Sequence, residues 1–272
     1  MTFRTLVAAS LAVTMFSCNK TDQPAPGTAA SAPPAASVPP APPASAARSG
    51  VSDAVPTSAG EIKITPLRHA TVLFEWTGKA VYVDPAADAK YDALPKADVI
   101  LITDIHGDHM SPPTVASLKK TGTTVVVPPA VAPNLPADGI VIVKNGESKE
   151  VAGIGVEAVP MYNLKRGPSA GQLYHDKGRG NGYVLTFGDK RIYLSGDTEC
   201  TPEMKALKNI DVAFVCMNLP YTMPPAEAAE CVKAFHPKLV YPYHYRGSNL
   251  DDFKQPLADQ KNVEVRVRNW YP

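Results

Sequence analysis

The sequence has few cysteines and almost no excess charge of either sign, and both absences exclude classes of function. Of its 272 residues, 27 are Lys or Arg and 26 are Asp or Glu, so the net charge is only +1. This balance provides no basic patch for nucleic acid. The four cysteines do not have the spacing of a zinc knuckle. A glycine-rich phosphate loop and a serine nucleophile elbow are missing too. We therefore expect a small-molecule substrate and no nucleic-acid partner.

Long apolar runs are equally scarce, and the one near the N-terminus is too short for a transmembrane helix. It extends from Leu6 to Phe16 and follows Arg4, a pattern typical of a secretory signal peptide over residues 1–18. The ending MFSC resembles a bacterial lipoprotein box, in which Cys18 would carry the lipid. We expect an exported protein, anchored through this lipid to a bacterial membrane and facing the periplasm. A plain signal peptide cut elsewhere is the alternative.

Residues 19–58 consist mostly of Ala, Pro, Ser and Thr. Large apolar side chains are too few there to offset the entropy lost on ordering, so the segment is predicted to be a disordered tether. Residues 59–272 are long enough to form one domain with a full core.

Within this domain, short β-type runs come first and mixed α and β patterns follow. This order predicts a fold of the α/β (α+β) class, with two mixed sheets and helices outside them. Several apolar runs end in a carboxylate or an imidazole where a loop begins: Asp84, Asp104, Asp197 and His244. Because strand ends are rigid and loops carry chemistry, we expect these groups to converge at one edge of the sheets.

The densest group of such residues is the segment TDIHGDH. It contains Asp104, His106, Asp108 and His109 at the end of the apolar run VILI. Imidazoles and carboxylates without thiolates suit Zn, Mn or Fe rather than a structural cysteine site. A solvated turn is the simpler interpretation, but later strand ends that carry further ligands disfavour it. Asp84 is interpreted as a carboxylate that orients the ligand loop through hydrogen bonds.

Four pieces of the sequence carry a resemblance to a known family: VDP, TDIHGDH, YLSGDTE and VYPYHYRG. They resemble the Asp, the HxHxDH motif, the bridging Asp and the final His of the metallo-β-lactamase superfamily. The chain is most similar to the branch of small metal-dependent hydrolases that includes ascorbate-lactonase-like proteins. The resemblance implies an αββα sandwich with two divalent metal ions, Zn in the first instance, at one edge.

The chain departs from the family pattern at two positions. Asp104 stands where the family has its first His, and Asn163 stands where the third His usually falls. We expect His175 to supply the missing ligand and Asn163 to support it or to act as a weak oxygen ligand. The resemblance then implies two ligand sets that share Asp197: Asp104, His106 and His175 for one metal, and Asp108, His109 and His244 for the other.

The carboxylate of Asp104 changes the expected charge of this centre. Two divalent ions, three carboxylates and a hydroxide sum to about zero, whereas His at this position would leave about +1. The Asp is therefore predicted to favour a harder metal such as Mn or Fe, and to weaken the attraction of strongly anionic substrates.

The resemblance implies hydrolysis of an ester, lactone or phosphodiester-type bond by a hydroxide held between two metals. Asp108 or Asp197 would orient the hydroxide or move a proton. Tyr243, Tyr245 and Arg246 are candidates for contact with substrate. The alternative function is a non-catalytic or mononuclear metal-binding module tethered to the membrane.

The sequence does not decide the roles of the last three cysteines or of His69. Cys200, Cys216 and Cys231 allow at most one intramolecular disulfide among them. His69 either approaches the site from a hairpin or has a structural role, and the structural role is favoured.

Overall fold

The computed structural model describes residues 52–272. The predicted signal peptide, including Cys18, and most of the predicted tether lie outside the described residues. The tether boundary at residue 58 is wrong, because strand β1 (Asp53–Thr57) already belongs to the domain. It pairs antiparallel with the next strand, and Val55 packs against the core. The Asp53 carboxylate also accepts hydrogen bonds from Tyr241 Oη (2.8 Å) and Arg268 Nε (2.9 Å) at the far end of the chain.

The first sheet has seven strands in sequence order. Strands β1 to β4 are antiparallel, and β4 to β7 are parallel. After β1, the strands are β2 (Gly60–Arg68), β3 (Thr71–Trp76), β4 (Lys79–Val83), β5 (Ala97–Leu101), β6 (Lys119–Val127) and β7 (Ile140–Ile142).

The second sheet repeats this plan with seven more strands. Strands β8 to β11 are antiparallel, and β11 to β14 are parallel. The strands are β8 (Ser148–Val151), β9 (Ile154–Met161), β10 (Gly180–Phe187), β11 (Lys190–Leu194), β12 (Val212–Cys216), β13 (Leu239–Tyr243) and β14 (Glu264–Val265). Two mixed sheets confirm the predicted fold class.

Four α-helices and a short 3₁₀-helix (Ala132–Asn134) complete the described part of the chain. The α-helices are α1 (Pro112–Leu118), α2 (Pro202–Lys205), α3 (Pro225–Phe235) and α4 (Asp251–Leu257). Helix α1 begins after Ser111, whose Oγ accepts a hydrogen bond from the Thr114 amide at 3.3 Å. It ends at Leu118, since the residues that follow, several of them β-branched, pair with β5 as strand β6. No helix in residues 52–272 is long and apolar enough to cross a membrane.

The parallel strands form the rigid platform of the fold. Every residue of β12 and β13 is buried, as expected for strands covered on both faces. Phe214 of β12 stacks on Tyr241 of β13 with ring centroids 4.8 Å apart. Parallel strands point their carboxyl ends toward the same edge, and Asp84, Asp104, Asp197 and His244 follow four such ends.

A disulfide fastens the segment after β11 to helix α3. Cys200 and Cys231 are bonded, with Cα atoms 5.6 Å apart and 31 positions between them in sequence. Cys216 is buried in β12 as a free thiol. The bond holds a segment that begins three residues after Asp197, so it supports the position of that carboxylate.

We predict that reduction of this disulfide lowers the free energy of unfolding by roughly 3 kcal/mol, because the bond closes a loop of 31 positions in the unfolded chain. Urea unfolding with and without a phosphine reductant measures the change. The double variant Cys200→Ser/Cys231→Ser is the matched control, since its stability should not respond to the reductant. Equal stability of the wild-type protein in both conditions would contradict the prediction.

Candidate metal centre

Asp197 enters the site through a turn that only glycine tolerates well. Gly196 has a φ of +59°, and a Cβ atom there would lie 2.4 Å from the Met161 sulfur. The Gly196 amide donates a hydrogen bond to Tyr243 Oη at 2.9 Å. Tyr243 is fully buried and lies outside the cavity lining, so it positions this turn rather than contacting substrate.

Asp197 lies between two groups of side chains. Its Oδ2 atom is 3.3 Å from His109 Nε2 and 3.4 Å from His175 Nε2, whereas its Oδ1 atom is 3.2 Å from His244 Nε2. Burial alone would raise the pKa of Asp197, but His244 and His109 lower it well below its ordinary value. An ionised carboxylate with both oxygens facing imidazoles can serve two cations at once.

The structure brings together all the side chains that the sequence predicts as ligands. The ligand atoms of Asp104, His106 and His175 lie within 4.8 Å of one another. Those of His109, Asp197 and His244 form a second group by the same measure. Asp108 approaches the second group, with Oδ2 3.5 Å from His244 Nε2, and its side chain is 46% exposed. Asp108 also forms a third group of this kind with His69 and His244, so the groups overlap with the two predicted ligand sets without being identical to them.

Asp84 fixes the orientation of His109, as its position in the sequence suggests. Its Oδ2 atom lies 2.8 Å from His109 Nδ1, and its Oδ1 atom accepts a hydrogen bond from the Thr103 amide at 2.7 Å. His109 Nδ1 therefore carries the proton, and Nε2 faces Asp197. Burial alone would lower the pKa of His109, but the carboxylates of Asp197 and Asp84 raise it well above its usual range.

Asn163 has the same role toward His175. Its Oδ1 atom accepts hydrogen bonds from the His175 amide (2.8 Å) and from His175 Nδ1 (2.7 Å). Its Nδ2 atom donates to Glu199 Oε1 and to the Tyr221 carbonyl. Because all the partners of Nδ2 are acceptors, the amide has one orientation, and its oxygen holds His175 Nδ1 so that Nε2 faces Asp197. Asn163 is thus a positioning residue, and the weak-ligand alternative loses support.

Unpartnered polar atoms at the centre test whether a metal fits. Four buried atoms lack hydrogen bonds within residues 52–272 and face one another: Nε2 of His109, His175 and His244, and Oδ1 of Asp197. Burying such atoms without partners is costly. Imidazole and carboxylate donors suit divalent Zn, Mn or Fe, so these residues fit a metal centre.

His69 is a member of the site that the sequence leaves open. It turns the chain between β2 and β3 with a φ of +52°, and it is buried. His69 Nε2 lies 3.1 Å from Asp108 Oδ2, and Nδ1 lies 2.7 Å from Tyr271 Oη. Burial lowers the pKa of His69 to about 4, so the ring is neutral near pH 7. The only signal in the sequence is a histidine at a hairpin turn.

Arg179 is the residue that sequence reasoning misses. Its Nε and Nη2 atoms donate to Asp104 Oδ1 (3.0 Å) and Oδ2 (2.8 Å), a two-pronged ion pair with a fully buried carboxylate. Burial alone would raise the pKa of Asp104, but His106, His109 and Arg179 lower it to about 2. The near-neutral charge expected for the centre does not include this guanidinium. With Arg179, the sum returns to about +1, the value that a histidine would give.

A cavity of about 780 Å³ opens onto the centre. Its lining includes ligand candidates from both groups together with His69, residues of the loop between β9 and β10, and residues that follow β12 and β13. The volume is that of a small-molecule site.

If Asp104 and Arg179 act as a unit, replacing Asp104 alone should reduce metal binding more than replacing both residues. We expect Asp104→His to lose about one metal ion per chain, because Arg179 then faces the cations without a carboxylate partner. The double variant Asp104→His/Arg179→Gln should recover metal content, since it has the charge of the usual family ligand set. Elemental analysis of purified protein measures the ratio.

Arg68→Gln, which removes a surface ion pair with Asp88, is the control and should keep the wild-type ratio. Equal metal content in Asp104→His and wild type would contradict the coupling, as would a double variant no better than the single one.

Comparison with known proteins identifies the family of the chain. The profile of the family described as "Beta-lactamase superfamily domain" matches residues 63–244. A UPF0173 metal-dependent hydrolase of Thermococcus onnurineus is 32% identical over 223 residues, which are 75% of this chain and 96% of that protein.

Two solved structures resemble the whole domain. One is a protein assigned as a metal-dependent hydrolase from Parabacteroides distasonis, with 38% identity, a TM-score of 0.75, and coverage of 80% of this chain and 98% of that one. The other is a metallo hydrolase from Ignicoccus hospitalis, with 24% identity, a TM-score of 0.63, and coverage of 76% and 94%. The second likeness concerns the fold alone. The chain belongs to the β-lactamase superfamily, among relatives named metal-dependent hydrolases.

Proposed function

We propose that this metal-dependent hydrolase holds two divalent ions, Zn in the first instance, and cleaves an ester, lactone or phosphodiester bond of a small substrate. The observation that carries the proposal is the position of Asp197, whose carboxylate lies between the two groups of ligands. It is 3.4 Å from His175 Nε2 of the first group, and 3.3 and 3.2 Å from His109 Nε2 and His244 Nε2 of the second. When bound, the ions would lower the pKa of a shared water and polarise the bond to be broken.

The protein's own residues prepare this reaction. Asp84 and Asn163 hold His109 and His175 with Nε2 directed inward, so little reorganisation is needed when the ions bind. Asp108 is the most exposed carboxylate of the centre and lines the cavity. His69 donates to its Oδ2 atom, and this hydrogen bond leaves Oδ1 able to accept a proton from the attacking water.

One observation favours a mononuclear centre as the second candidate. Both oxygens of Asp104 are bonded to Arg179, and a metal at the first group would have to share or displace that partner. Within the described residues, the group of His109, Asp197 and His244 has no Lys or Arg partner of this kind. Metal content therefore decides between the two forms.

We expect the metal-loaded full chain to hydrolyse at least one of p-nitrophenyl acetate, bis(p-nitrophenyl) phosphate and γ-butyrolactone. Asp197→Ala should lower kcat/KM on that compound by at least about a thousandfold, because both ligand groups lose their shared carboxylate. Asp88→Ala, which breaks only a surface ion pair, should keep full activity. Activity that survives both metal chelation and Asp197→Ala would exclude the metal mechanism.

We also propose that the domain is exported and attached to a bacterial membrane, facing the periplasm, through a lipid on Cys18. The sequence of residues 1–18 supports this location, and the Cys200–Cys231 disulfide suits an oxidising compartment.

Cys18→Ser should move the protein from the membrane fraction to the soluble fraction when it is expressed in a Gram-negative host, because the lipid is then missing. Fractionation followed by immunoblotting measures the distribution. Cys216→Ser, which changes the free thiol of the domain, controls for loss of a cysteine. Retention of Cys18→Ser in the membrane fraction would overturn the anchor.

A further inference from the structure

The cavity above the metal centre is lined unevenly. One part of its lining is apolar and consists of six residues, here called the apolar rim: Pro168, Leu173, Tyr174, Leu219, Pro220 and Tyr221. Leu219 and Tyr221 are 50% and 48% exposed, among the most exposed large apolar side chains of residues 52–272. Exposed apolar surface gathered beside a catalytic site indicates that a ligand covers it.

The apolar rim is fixed relative to the metal ligands. Tyr174 packs edge-on against Tyr221 with ring centroids 5.1 Å apart. The Asn218 amide donates to Thr222 Oγ1 at 2.7 Å and closes the turn that carries Leu219. Asn163, which orients His175, also donates from Nδ2 to the Tyr221 carbonyl at 2.9 Å. One side chain thus sets the position of both a metal ligand and the apolar surface next to it.

Arg246 provides the cationic group of the cavity. It follows His244 by two residues, its side chain is exposed, and among residues 52–272 it is the one Lys or Arg that lines the cavity. Its backbone amide donates to Tyr271 Oη at 2.9 Å, and its guanidinium lies 5.6 Å from the centre of the Tyr271 ring. Within residues 52–272 this guanidinium has no carboxylate partner at ion-pair distance, whereas Arg166, Arg179 and Arg191 are all paired. An unpaired guanidinium at a cavity wall is suited to a carboxylate or phosphate.

We propose that the substrate is a small amphipathic carboxylic ester or lactone that carries an anionic group. Its apolar part packs against the apolar rim, its anionic group pairs with Arg246, and its scissile carbonyl lies at the metal centre. This proposal rests on the proposed hydrolytic function. In the reaction, water adds to the carbonyl carbon, the bond to the alkoxy oxygen breaks, and an acid and an alcohol are formed.

Two esters of equal length test the anionic group. Mono-p-nitrophenyl adipate and p-nitrophenyl hexanoate differ only in a terminal carboxylate. We expect the wild-type protein to prefer the adipate ester in kcat/KM. Arg246→Gln should reduce the ratio of the two values about tenfold or more, as loss of a charged hydrogen bond does. Lys149→Gln, which removes an exposed lysine of β8 that does not line the cavity, should leave the ratio unchanged.

The apolar rim has its own comparison. Leu219→Ala should reduce the advantage of p-nitrophenyl hexanoate over p-nitrophenyl acetate, because the longer acyl chain then loses an apolar surface. If neither Arg246→Gln nor Leu219→Ala changed the ratios of kcat/KM between the esters, the assigned substrate class would be overturned. The proposed hydrolytic function would still stand.

Calorimetric binding of adipamic acid and hexanamide separates the two proposals, because these amides report on recognition without ester cleavage. Tighter binding of adipamic acid that disappears in Arg246→Gln supports the substrate class even if no ester is cleaved, in which case the proposed reaction fails alone. Equal binding of the two amides by the wild-type protein would overturn the substrate class.

Discussion

Asp197 is an ionised carboxylate at a place that water barely reaches, and three imidazoles stand around it. A buried charge is costly unless cations or hydrogen bonds compensate it, and several of the surrounding atoms form no hydrogen bond with any part of residues 52–272. The rest of the fold must therefore provide the free energy that keeps this group buried. Two sheets of the same plan hold it, because their parallel strands bring ligands from both halves of the chain to one rigid edge.

Positioning of the ligands depends on neighbours that never need to touch a metal. Asp84 and Asn163 are chemically different, yet each presents an oxygen to the Nδ1 atom of one histidine and so directs its Nε2 atom into the site. Tyr243 acts one step further out, since it holds the turn that carries Asp197. The centre is therefore organised by hydrogen bonds formed during folding, and metal binding can use geometry that already exists.

The sequence predicts those parts of the molecule whose signals are local. Apolar runs that end in acids or histidines locate Asp84, Asp104, Asp197 and His244, because strand ends and ligands coincide along the chain. β1 escapes prediction because its five residues include a proline and show no strong alternation, and its partners lie far away. Arg179 escapes for the same reason, as nothing near Asp104 in sequence indicates a partner 75 positions away. Long-range pairs between polar groups are decided by tertiary packing, which a single sequence does not display.

The Asp104–Arg179 pair also bears on the substrate. With Asp104 but without Arg179, the centre would repel anions more than a centre with the usual histidine ligand does. Arg246 would then have to offset that repulsion before it could attract an anionic ligand. With Arg179 included, the expected charge near the metals is the same as in the histidine form. An anionic group that binds to Arg246 in the cavity is therefore not subject to this additional repulsion. The two arginines thus have separate roles: Arg179 sets the charge of the centre, and Arg246 binds the ligand. If so, Arg179→Gln should weaken binding of adipamic acid even though Arg179 is absent from the cavity lining, and hexanamide should bind as before.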